Sequence, residues 1–234
     1  TEYVTQANAT SAQPKASLSL GSLAVNTALA DASTKANAAI SCSAHVNAKS
    51  STTPIRVQTI GTATAKAEIA GGEFSASIVN IGTNFADAKV SAVQKAFIGV
   101  ADDAPDGAQG PTVTAKDIGV YSEFNHKSNT AGAVANVGSG MGAKIALKSG
   151  DVSLAHANIT AQALAYISAL KINVSGSLTV QTVANAYAKA GVLAPTFSVS
   201  KYNAAAQQTQ AYAGGVFGAY VTATGEEGVH AGSI

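Results

Sequence analysis

The sequence predicts an all-β chain wound as a parallel β-helix, a solenoid of about ten irregular coils with loop insertions. Three observations carry this expectation. The first is composition: of 234 residues, 50 are Ala, 44 are Ser or Thr and 22 are Gly, while only 12% are charged. The second is alternation, because apolar and polar residues trade places with period two along most of the chain, as they do in strands with one buried face. The third is an inexact repeat of roughly 19–25 residues, interrupted by Gly, Ser and Asn corners.

Each element follows in order. In Ala16–Val25 the apolar set is Ala16, Leu18 and Leu20, and the phase slips at Gly21-Ser22 to Leu23 and Val25. These five residues are expected on the buried face. Thr62–Ala70 alternates again, with Ala63, Ala65, Ala67 and Ile69 inward and Thr62, Thr64, Lys66 and Glu68 outward. Asp151–Ala155, Lys171–Ser175 and Thr196–Ser200 begin three further strands, with Val152, Leu154, Ile172, Val174, Phe197 and Val199 expected inside. Ala is the best helix former, and Thr160–Leu170 also offers a helical face of Leu164, Ile167 and Leu170. The usual helical companions of Ala are scarce, with 10 Leu against 21 Val and 13 Ile. The strand reading therefore takes precedence.

The repeat lays Asp151–Gln162 over Lys171–Gln181. Val152 and Leu154 match Ile172 and Val174 at an offset of 20, and Ile159 and Ala161 match Leu178 and Val180 at 19. An earlier unit runs from Val113 to Val120, with a bend at Lys116-Asp117. One such unit is the length of a short solenoid coil, and stacking at about 4.8 Å gives a rod of roughly 50 Å. The alternative is an antiparallel β-sandwich. It would need tight Asn-Gly or Asp-Gly turns, and Asp106-Gly107 alone fits. Residues 1–234 read as a single solenoid segment of a longer chain. Residues 101–111 and 121–130 read as protruding loops or insertions.

Composition excludes several classes. Scarce charge and abundant β-branched residues argue against disorder, and the single Cys42 excludes an internal disulfide scaffold. A net charge of +1, with Arg56 the only arginine, removes the electrostatic case for nucleic acid. No apolar run reaches the roughly 18–20 residues that a spanning helix needs, so the chain is not expected to span a membrane. The first residues, Thr-Glu-Tyr-Val, show no initiator Met and no secretory leader, which fits a processed or excised piece.

Chemistry-bearing residues are dispersed. Cys42 and His45 have the spacing of two zinc ligands, but alternation sends them to opposite faces and no further ligands are near in sequence. A small buried thiol is the expectation for Cys42. Asp102, Asp103 and Asp106 share a loop without the regular calcium-loop pattern or a closing Glu, and read as a solvated loop. A polysaccharide-degrading β-helix would need carboxylates one coil apart, yet the acidic residues are singles except for that loop and Glu226-Glu227. Gly138–Gly142 lacks the Lys of a phosphate loop. Asn8, Asn158 and Asn173 begin chance glycosylation sequons in a chain so rich in Ser and Thr. Thr59, Thr62 and Thr64 offer a threonine ladder too irregular for ice binding. No catalytic, cofactor-binding or metal-binding residue is assigned, and no cofactor is expected.

The rhythm of Val93–Val100, with its Ala-Phe-Ile-Gly strand end, of Ala131–Gly138 and of Val180–Ala190 resembles the passenger regions of large secreted bacterial adhesins. The group is the filamentous-haemagglutinin-like exoproteins, including leukotoxin-type filamentous adhesins. The resemblance implies a β-helical, non-catalytic segment of an adhesin or toxin stalk, secreted or on the bacterial surface. It would attach to a host cell-surface protein or glycan, and the rod's exposed ends add possible end-to-end self-association. A polysaccharide-degrading β-helix and a phage or viral tail-fibre β-module are the alternatives.

Overall fold

A computed structural model describes residues 2–12, 17–41, 43–49, 52, 54–70, 74–101, 104–105, 107–126, 132–138, 142–169, 171–193, 196–223 and 229–233. Thirteen strands run in chain order: β1 (Glu2–Ala12), β2 (Ser17–Ser41), β3 (His45–Ala48), β4 (Ile55–Ala70), β5 (Phe74–Gly99), β6 (Thr112–Ala115), β7 (Ile118–Phe124), β8 (Ala133–Val137), β9 (Gly142–Ala169), β10 (Lys171–Ala184), β11 (Ala188–Val192), β12 (Thr196–Ala223) and β13 (Val229–Ser233). No helix forms among the described residues, and Thr160–Ala169 is strand, as alternation predicts.

Every pairing between described strands is parallel. This bears out the parallel solenoid and overturns the antiparallel sandwich. Four long strands form one sheet in the order β12-β9-β5-β2, and the nine shorter strands form the other. The chain passes from a short-strand segment to a long strand and back, so each long strand contributes one coil.

Coil length departs from the sequence expectation. Ser17 lies opposite Ser75, 58 positions on; Phe74 lies opposite Ala143, a step of 69; Gly142 lies opposite Thr196, a step of 54. Four broad passes therefore replace ten short coils and the 50 Å rod. A 28-residue strand such as β9 has a contour of roughly 90 Å, while four strands stack to only about 15 Å between the outer two. The 20-residue repeat is no structural repeat, since Ile172 pairs with Val113 and Val229 rather than with Val152. Its second member does match the earlier unit. Ile172–Val174 lies on Val113–Ala115 and Leu178–Val180 on Ile118–Val120, with the bend at Lys116-Asp117 where it was expected.

Packing between the sheets explains which face turns inward. Ala63, Ala65, Ala67 and Ile69 on β4 are fully buried, as predicted, against columns of long-sheet alanines. Ala28, Ala86 and Ala155 form one such column, and Ala30, Ala88 and Ala157 the next. Where Ala faces Ala, a longer side chain has no room, so beside these columns the larger apolar residues go outside, whereas Val90 and Ile159 fill one wider column of the same core. The inward set Val152, Leu154 and Val199 is thus corrected: Ser153 and Ala155 are buried, whereas Val152 and Val199 are exposed. Leu18, Leu20, Leu23 and Val25 are likewise exposed, Leu18 at 89%. Ala16, expected beside them, lies outside the described residues. Both sides of that alternation are small or apolar, and residue size rather than polarity decides which one turns in. Larger residues fill the far end, where Ile98, Ile167, Ile172 and Leu178 close the core with Val113 and Val120.

Ala88→Leu should therefore cost about 1–3 kcal/mol, while Leu18→Ser should stay within about 0.5 kcal/mol. Chemical denaturation of the two variants checks the inversion. Equal costs would contradict it.

The phase slip read at Gly21-Ser22 is present and runs through the whole sheet. Pairing skips Leu20, Ile78, Leu147 and Lys201, four residues in one column, without changing register on either side. The Ser19 and Ser77 hydroxyls each donate to a carbonyl two residues ahead, at Gly21 and Val79, both at 3.0 Å. Just inside this bend the core begins with a polar ladder. Asn26 Nδ2 donates to Asn84 Oδ1 at 3.0 Å, and Asn84 Nδ2 to Ser153 Oγ at 3.4 Å.

Candidate functional site

Stacking brings together residues about 60 positions apart, and the richest such assembly lies on the outer side of the short-strand sheet. Arg56 on β4 sits opposite Gly119 on β7, and Gly119 sits opposite Thr179 on β10. Gly119 contributes no side chain of its own, and the Tyr121 ring covers it at the centre of the column Arg56–Gly119–Thr179. The column borders a cleft of about 310 Å³ lined also by Asp117, Tyr121 and Ser177. That volume lies at the low end of ligand pockets, which span about 300–1,000 Å³.

Its geometry is set locally. The Tyr121 ring folds back over its own strand, where a Cβ on Gly119 would collide with it. The Arg56 guanidinium lies 4.7 Å from the ring centroid, within cation–π range. Among the described residues Arg56 forms no ion pair, whereas Lys66 pairs with Glu68 at 3.0 Å. Asp117 Oδ1 accepts two hydrogen bonds from Ser177, from the backbone N–H at 2.8 Å and from the hydroxyl at 2.9 Å. These bonds, the backbone one foremost, hold the Asp117 carboxyl below its ordinary pKa. A carboxylate and a guanidinium, each with hydrogen-bonding capacity left over, thus line one cleft.

A second depression, about 520 Å³, crosses the outer face of the long sheet between Lys35, Ser91, Thr160 and Val216. Ser33, Ser91 and Thr160 line it as one column of small residues, which Gly214 continues in register. Inside the core, Tyr3 donates to Gln94 Oε1 at 3.0 Å and Gln94 Nε2 donates to Ser122 Oγ at 2.9 Å. Burial pushes the Tyr3 phenol up to about 12, so it remains a donor throughout the physiological range. Phe97, Tyr166 and Tyr220 stack as a three-coil ladder with centroids 5.0 and 5.1 Å apart.

The residues weighed in the sequence fall elsewhere. Cys42, Asp102, Asp103, Asp106, Glu226 and Glu227 lie outside the described residues, and His45 begins β3 opposite Thr112. No group of three or more His, Cys, Asp or Glu side chains suited to a metal occurs among the described residues. Thr59 is buried and donates to Ser122 at 3.3 Å, while Thr62 and Thr64 face the other way, so the three make no surface ladder. Of residues 101–111, the described part contains a turn in which Ala108 N–H donates to Pro105 at 3.1 Å and Gly107 takes φ +81°. Of residues 121–130, the first four are the end of β7, with Ser122 and Phe124 fully buried. Tyr121 reaches the cleft from that strand; residues 127–130 lie outside the described set.

No family model matches the chain, and neither the curated proteins nor the solved structures yield a match. Among the described residues no helix is long and apolar enough to cross a membrane.

Proposed function

We propose that this chain is a non-catalytic structural and binding segment of a secreted or surface-displayed bacterial adhesin or toxin stalk, of the filamentous-haemagglutinin-like group. In that role it holds contact surfaces away from the cell and meets host-cell protein or glycan along its sides. The observation that supports the reading is the in-register parallel stack. One side-chain column, such as Ile40–Ile98–Ile167–Val221, passes through all four coils. A structure of that kind lengthens by adding coils, without disulfides and with little charge.

Self-association follows from the same stack. Strands β12 and β2 terminate the long sheet, and β12 carries a single charge, Lys201, and no Pro over its 28 residues. Long edges with so little charge template further pairing. If the next copy keeps the internal register, Gln207 meets its Asn26 and Val221 meets its Ile40, continuing both the amide and the aliphatic ladders. Light scattering on the purified chain should show concentration-dependent end-to-end oligomers; a strict monomer at high concentration contradicts this part.

A glycan and extracellular-matrix binding screen, with reducing-sugar release measured on every glycan hit, tests the function. Binding without release is the expected result. Sugar release would replace the proposal with a polysaccharide-degrading enzyme, and silence in both would leave a spacer.

A further inference from the structure

We infer that the cleft between Arg56 and Asp117 is a binding site for a carboxylate-bearing sugar. The inference rests on the binding-module reading and names its ligand class. Four features of the cleft converge on that chemistry.

Arg56 is the chain's single arginine, and its planar fork matches a carboxylate with two parallel hydrogen bonds. Stacking on Tyr121 fixes the orientation of the guanidinium while leaving its N–H edge to be satisfied. Beyond the Tyr121 ring that covers Gly119, Asp117 lines the same cleft and is held ionised by Ser177 through Oδ1, which leaves Oδ2 to accept from ligand hydroxyls. The Thr179 hydroxyl on the same wall can both donate and accept, and the Ser177 oxygen, whose proton goes to Asp117, can still accept. A ligand that pairs with this set presents an anion at one end and hydroxyl donors at the other. A simple anion satisfies Arg56 alone and is repelled by Asp117. A neutral sugar satisfies Asp117 and leaves the guanidinium unpaired. A pyranose with a ring carboxylate satisfies both, and a volume of about 310 Å³ suits one such unit.

The site also belongs to the stack itself. Arg56, Asp117 and Ser177 come from three successive passes, so the cleft exists only when the coils are in register. Uronic acids and sialic acids share the required chemistry, and the experiment separates them.

Amide chemical shifts of Gly119 and Thr179 should be followed while the chain is titrated with sialyllactose, with a glucuronate-containing disaccharide, and with lactose as the neutral control. One or both acidic sugars should shift these amides saturably, and lactose should not. Arg56→Gln should weaken binding about ten- to hundredfold, Arg56→Lys less, and Asp117→Asn about three- to tenfold. Arg56 is exposed, so circular dichroism of Arg56→Gln should match the parent. Equal shifts with lactose, no shift with either acidic sugar, or full binding by Arg56→Gln would each overturn the site. A glycan that binds elsewhere and ignores Arg56→Gln overturns this site and leaves the adhesin reading standing. Failure of all glycan and matrix binding removes both.

Discussion

Asn125→Leu should destabilise the protein by about 3–6 kcal/mol, the largest effect expected of any exchange at a corner of the stack. Asn125 is 1% exposed and sits between β7 and β8, where the chain leaves the sheet. Its side chain acts as a substitute strand. Nδ2 donates to the Ala63 carbonyl at 3.2 Å, and Oδ1 accepts from the Ala63 N–H at 3.0 Å. Its own backbone N–H donates to Gly61 at 2.8 Å. Leucine would strand both Ala63 groups in the core, at about 1–3 kcal/mol each. It would also occupy φ +50°, a left-handed conformation that Asn tolerates better than Leu. Asn125→Gly relieves the backbone but not the orphaned pair, so it should recover roughly 1 kcal/mol relative to Leu. Urea denaturation of the two variants separates strain from lost hydrogen bonds. Equal costs would assign the whole effect to the bonds.

Ile167→Ala should cost about 2–5 kcal/mol. Ile167 is fully buried in the third coil, flanked in its column by Ile98 and Val221 and closed over by the segment around Ile172. Here the core is wide enough for branched side chains, so truncation leaves a cavity bounded by paired backbone that has little freedom to collapse. The alanine columns behave in the opposite way. At Ala88 or Ala157 added volume is the damaging change, while at Ile167 lost volume is.

Much of the architecture was legible in the residues. Scarce Leu and abundant Val, Ile and Thr indicated strands, and the lack of hairpin turns indicated parallel ones. The bend at Lys116-Asp117, the slip at Gly21-Ser22 and the inward set of Thr62–Ala70 all stand where the pattern places them. Coil length was not legible. Alternating small residues resemble one another at almost any even offset, so a 20-residue match carries little register information, and hydrogen bonding selects 58, 69 and 54 instead. The inner face of the long sheet was misread for a related reason. Where Ala or Ser alternates with Leu or Val, polarity does not rank the two sides, and the facing alanines of β4 settle it. The Arg56 cleft had no local signal at all, since Arg56, Asp117 and Ser177 are about 60 residues apart and meet only through stacking. A single arginine in a chain of 234 residues was the one available pointer. Asn125 was equally silent, because an Asn in a polar run looks like a loop residue until its partner strand is known.

The central claim is the register of the broad stack, and cysteine pairing tests it most directly. In a Cys42→Ser background, Ser91→Cys and Thr160→Cys should oxidise to a disulfide. These residues are directly opposite on β5 and β9, and a strand separation of about 4.8 Å falls within disulfide reach. Thr160→Cys with Thr179→Cys tests the rival, since a 19-residue coil would place those two side by side. Mass spectrometry of the mildly oxidised variants should find the first bridge and not the second. A bridge between positions 160 and 179, with none between 91 and 160, would contradict the four-pass solenoid and restore the short coil.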